Sequence, residues 1–231
     1  MMISWLRMGA LLLVVVTLTR FIPFSSFFRN VNTLIHEVSH AVVTLLLSGE
    51  VMFIHLFPDQ SGVTYSAITD SWMTIPISLA GYPGSALFAM LLFRLYAARR
   101  ERLGLMLIAL IAILCLVLFV RNGYGLVWCA GFALITLIIG SIAPNWLRVG
   151  YYLLIASICL VDTVVSAATI LLIAIADPAG AGDAANLADI LAVPAPVWAI
   201  GFLLFALLCA KCSTGLLLRS RSIRHPSDAN R

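Results

Sequence analysis

The chain has 231 residues, 62% of them hydrophobic and only 10% charged, with a net charge of +4. A mean hydropathy of +1.08 excludes an ordinary soluble domain, whose surface needs far more charge. The basic balance comes largely from arginines at the ends of apolar runs, which excludes a nucleic-acid patch and reads as membrane topology.

Seven apolar segments are long enough to span a bilayer, at about 5–25, 30–48, 72–93, 103–120, 125–143, 149–175 and 197–218. In lipid only helices and closed barrels satisfy the backbone, and the period-two alternation of a barrel is absent. The predicted fold is therefore an all-α polytopic membrane protein of about seven helices. It forms one domain over 1–218, with a basic tail over 219–231.

The first segment has the charge and apolar run of a signal peptide, but no small-residue cleavage site follows Leu18, so it reads as a mature span. The second carries His36-Glu37-Val38-Ser39-His40 within an otherwise apolar or small neutral stretch, Asn32 apart. Histidines four residues apart share one helix face, where a single Zn²⁺ can take both. Glu37 is placed to take a proton from a water that the metal activates. Charge inside a membrane helix is costly, and a metal site is a sufficient reason for it.

Residues 50–71 mix β-branched and aromatic residues around Pro58 and Gly62, which predicts a short hairpin or re-entrant loop. The third span contains Gly81-Tyr82-Pro83-Gly84-Ser85, read either as a small-residue packing seam with a proline kink or as a substrate-facing segment through Gly81, Tyr82 and Gly84. The sixth span carries Asp162 at its middle. Residues 176–196 predict a turn and then a short helix capped by Asp183. The five cysteines all lie in apolar segments and read as packing residues, including the Cys209-x-x-Cys212 pair.

Arg99, Arg100, Arg102, Arg148 and the tail arginines fall on one side of a seven-span topology, joined by Arg29, with Arg121 as the exception. That side is predicted to be cytoplasmic, which places the C-terminus there and the chain in the plasma membrane.

A catalytic zinc takes three protein ligands and keeps one position open. Besides Glu37, Asp162 is the only acid in the middle of an apolar span. At the helical rise, His36 and His40 lie about 10 and 16 Å from Arg29, and Asp162 lies about 21 Å from Arg148. With modest tilt these three side chains share a layer, so Asp162 is the preferred third ligand. Asp183, beyond the outer end of span six, is the alternative.

His36-Glu37-x-x-His40 inside a membrane helix resembles the zinc motif of site-2 protease-type intramembrane metallopeptidases. Gly49-Glu50-Val51 and the Phe57–Thr64 loop are similar to the segment after the zinc helix in compact members. Gly81–Gly84 resembles their glycine-rich third span, and Gly182-Asp183-Ala184 with Pro196-Val197-Trp198 resembles their C-terminal region. The family's usual Asn-Pro-x-x-Asp-Gly ligand motif is absent, and Asp162 stands in Leu160-Val161-Asp162-Thr163. The resemblance implies a zinc cofactor, a membrane-helix substrate and hydrolysis of its peptide bonds. The alternatives are a zinc-binding sensor or scaffold without protease activity, and a proton or metal transporter.

Overall fold

The computed structural model describes the backbone of residues 25–224. Helix α1 (Ser25–Leu46) leads into strands β1 (Glu50–Leu56) and β2 (Gly62–Ala67). Four long helices follow: α2 (Thr74–Ala97), α3 (Glu101–Leu118), α4 (Gly123–Ile142) and α5 (Asn145–Ala176). A short helix α6 (Gly182–Leu191) precedes α7 (Ala195–Arg224).

Five helical segments, not seven, are long and apolar enough to cross a membrane among the described residues: Ser71–Ala97, Glu101–Leu118, Gly123–Ile142, Asn145–Ala176 and Ala195–Leu218. Helix α1 falls outside this set because Arg29, Asn30, Asn32, His36, Glu37 and His40 lower its hydropathy. The expected first span, up to its last residue, lies outside the described residues. Five apolar spans make the chain an integral membrane protein. Pro83 lies inside α2, which continues through it as helix. Helix α7 continues through Arg224, so the tail begins as helix.

The polar residues of α1 are tolerated because the rest of the molecule supplies their partners. Arg29 Nε donates to both carboxylate oxygens of Asp162 on α5, at 2.9 and 3.1 Å. Asn30 donates to the Tyr124 hydroxyl at 2.5 Å, and Asn32 accepts from Thr163 at 2.9 Å. Val31, Leu34 and Ile35 meanwhile join the main apolar core with Leu92, Phe93, Ile108 and Tyr152.

The hairpin folds back along α1. Its strands pair antiparallel, and the turn closes with Phe57 N–H donating to the Ser61 carbonyl at 3.0 Å. Gln60 takes a φ of 67° there, and its carbonyl accepts from Thr33 of α1 at 2.8 Å. The outer edge of β1 is closed by the α3–α4 connection, where Ile54 N–H donates to Phe119 O at 2.9 Å. Asn122 finishes that edge by donating to Leu56 O at 2.6 Å and accepting from Leu56 N–H at 3.1 Å. The second edge of β2 has no strand partner among the described residues.

A second apolar cluster seats α6 between α5 and α7. Ala184, Ala185 and Leu187 pack on Ala167, Ile170 and Ala174, and on Ala195, Ala199 and Phe202. Small side chains on all three helices let the backbones approach closely, as membrane helix interfaces require.

Candidate metal centre

The two histidines of α1 project toward the start of α2. His40 Nδ1 lies 2.7 Å from the Ile77 carbonyl. A carbonyl can only accept, so this nitrogen carries a proton and Nε2 is the ring atom turned toward Asp183. Such a bond fixes ring orientation and tautomer in the way that histidine ligands of metals require. The His36 ring meets the His40 ring edge-on at 4.7 Å and the Tyr82 ring edge-on at 4.7 Å. Tyr82 is backed by Phe202 of α7, stacked at 4.8 Å.

Gly81 makes this approach possible. A Cβ at that position would lie 2.5 Å from His36 Nε2 and 2.6 Å from His40 Nε2. Gly84 does the same for Ser39 one turn on, where a Cβ would overlap the hydroxyl. Gly81 and Gly84 thus lie at the close contact between α1 and α2. Of Gly81, Tyr82 and Gly84, only Tyr82 lines the cavity described below.

Asp183 supplies the third side chain. Its Oδ2 lies 3.3 Å from His36 Nε2 and 3.3 Å from His40 Nε2. The three donor atoms fall within 4.8 Å of one another. Asp183 is in the first turn of α6, not at its cap, and the capping residue Ala181 makes no side-chain bond to the helix. The carboxylate is turned inward instead. Burial works to raise the Asp183 pKa, but the two imidazoles outweigh it and hold the group near 2, well below the usual carboxylate range. Its Oδ2 is buried without a formed hydrogen bond.

Asp162, the expected ligand, is elsewhere. Its carboxylate is bound by Arg29 at 2.9 Å. A shared layer for Asp162 and the histidines requires Arg29 and Arg148 to mark the same membrane face. Arg29 instead neutralises Asp162 part-way along α5, so α1 does not start level with that helix and the register between them is offset.

Glu37 lies beside the histidines and is only 5% exposed. Thr64 of β2 donates through Oγ1 to Glu37 Oε2 at 2.7 Å and also approaches the Glu37 carbonyl at 3.1 Å. Gly62 leaves room for this carboxylate, since a Cβ there would sit 2.9 Å from Glu37 Oε1. His36, Glu37, His40, Tyr82 and Asp183 share a cavity of about 460 Å³ with Gly62–Thr64 of the hairpin, Ser78 of α2 and Asn186 of α6. Asn186 Nδ2 reaches Ser78 Oγ at 3.4 Å across it.

Two imidazoles, that of His40 buried and that of His36 half-buried, beside a half-buried carboxylate form a donor set for a divalent cation, with two nitrogens and one oxygen as in catalytic zinc sites. A family model described as Peptidase M50B-like matches residues 7–213. The chain belongs to that family. No curated protein and no solved structure matches it. M50B-like membership makes this a membrane protein of a peptidase family, and the His36–His40–Asp183 cluster is compatible with the zinc that such peptidases use.

Thr64, the Ile77 carbonyl, Ser78 and Asn186 escaped the sequence reading. Thr64 had a signal, since it ends the loop that resembles the family's post-helix segment. A backbone carbonyl carries none.

Proposed function

We propose that this M50B-like protein is an intramembrane zinc metalloprotease, with His36, His40 and Asp183 holding the metal and Glu37 as the general base. The convergence of those three donors beside a glutamate oriented by Thr64 carries the reading. Zinc, when bound, supplies Lewis-acid polarisation of the scissile carbonyl and lowers the pKa of water toward 7.

Glu37 takes a proton from the attacking water as the new C–O bond forms, and passes it to the amide nitrogen as the C–N bond breaks. Thr64 holds Oε2 of that carboxylate, so the free oxygen faces the cavity in a constant orientation. The open edge of β2 supports a route for substrate binding. A membrane helix that unwinds locally presents an extended backbone, and that backbone pairs with β2 by strand addition. Tyr82, buttressed by Phe202, bounds the other side of the chain.

The test is a Glu37→Gln protein assayed beside the parent for zinc content and for cleavage of a model membrane helix. The expected result is full zinc occupancy with cleavage reduced by roughly 10²–10⁴-fold, the usual range for loss of an acid–base group. Zinc binding by the parent without turnover of any unwound helix would instead favour a sensor or scaffold.

A further inference from the structure

The expected cytoplasmic arginines do more than mark topology. Arg99 and Arg102 of the α2–α3 connection converge with Arg148 of α5 on a second cavity of about 530 Å³, far from the candidate metal centre. Glu101, Asn145 and Val149 complete its wall. One of the three guanidinium groups is already aimed, because Arg148 donates to Asn145 Oδ1 at 2.9 Å. Arg99 sits at a φ of 57°, in the turn that ends α2, and lines the cavity together with Arg102. Glu101 offsets one of the three positive charges and leaves the cavity cationic.

The surroundings say where a ligand comes from. Next to the lining residues Asn145 and Arg102 in sequence stand Trp146, 75% exposed, and the exposed Leu103, with the exposed Ile142 at the end of α4. Apolar residues with a tryptophan at the rim are the pattern of a bilayer interface. Guanidinium groups bind phosphate oxygens in paired hydrogen bonds, and basic clefts between membrane helices take anionic headgroups.

We propose that this cavity binds the phosphodiester headgroup of an anionic phospholipid. The shared chemistry with soluble phosphate is one phosphate group held by Arg99, Arg102 and Arg148. The exposed apolar rim favours the lipid as its source, with acyl chains running down α3 and α5. The site rests on the membrane reading of the chain and is independent of proteolysis.

The test uses the full chain in a neutral detergent, titrated separately with phosphatidylglycerol, phosphatidylcholine and inorganic phosphate. Retained lipid is counted by native mass spectrometry and thermal unfolding is followed in parallel. The expected result is roughly tenfold preferential retention of phosphatidylglycerol over phosphatidylcholine, with no response to inorganic phosphate. An R102Q/R148Q protein should lose that preference and keep its zinc content. R102K/R148K should retain most of it, and R94Q, which removes a charge at a different crevice, should behave as the parent. Equal retention of the two lipids by the parent, or an unchanged preference in R102Q/R148Q, overturns the site. Stabilisation by inorganic phosphate matching that by phosphatidylglycerol overturns the lipid as its source.

Discussion

At the scale of single residues, two aspartates of similar burial do different work. Asp183 faces two imidazoles, whereas Asp162 faces a guanidinium. Substituting Asp183 by Ala should abolish stoichiometric zinc binding, measured by elemental analysis of the purified protein, while Asp162→Ala should leave zinc in place. Asp162→Ala should instead cost about 1–3 kcal/mol of stability, because it takes the carboxylate away from the half-buried Arg29 charge. Denaturant unfolding in mixed micelles separates the two outcomes. If Asp162→Ala loses zinc while remaining folded, the ligand assignment is reversed. Gly81 allows a further check. Its Cβ would strike both imidazoles, so Gly81→Ala should lower zinc affinity sharply. Gly131→Ala, where a Cβ meets nothing within 4 Å, should be silent or slightly stabilising in its helix.

At the scale of elements, the centre joins parts with different reasons for being where they are. Helix α1 is fixed from both sides by hydrogen bonds to α5, to the hairpin turn and to Tyr124 of α4. Helix α6 is only ten residues long, too short to be stable by itself. Its place depends on a small alanine-rich contact and on Asp183. A metal that binds all three ligands therefore ties α6 to α1. Chelation should raise amide hydrogen exchange across 182–191 well above that of α1, by about tenfold if the metal contributes near 1.4 kcal/mol to closing that segment. Unchanged exchange in α6 on metal removal would mean that the helix is seated by apolar packing alone.

The whole molecule shows which of these features sequence can carry. The spacing of His36, Glu37 and His40 is a local property of one helix, and the structure brings those residues together as the helical period requires. The hairpin was legible for the same reason, since β-branched and aromatic residues flank a Pro58–Gly62 turn. The third ligand was not legible, because it depends on how α6 docks between α5 and α7. A carboxylate paired with arginine and one facing imidazoles look alike in a sequence, and only the offset of α1 along α5 tells them apart. Gly182 and the run Asp183-Ala184-Ala185 carried a weak signal, as small residues around an acid permit close approach to a bundle. The described residues supply five of the seven expected spans, and α1 is not among them because its polar side chains, held by internal partners, lower its hydropathy.

The three proposed ligands stand far apart in the primary structure. His36 and His40 precede Asp183 by well over a hundred residues, so the imidazoles emerge in synthesis long before the carboxylate. A nascent polypeptide that has inserted α1, the hairpin and four further helices thus holds the base and two imidazoles but lacks the carboxylate. The proposed centre closes only once α6 has followed four spanning helices, so under the proposed function a copy still short of α6 holds no complete site at the point of membrane insertion.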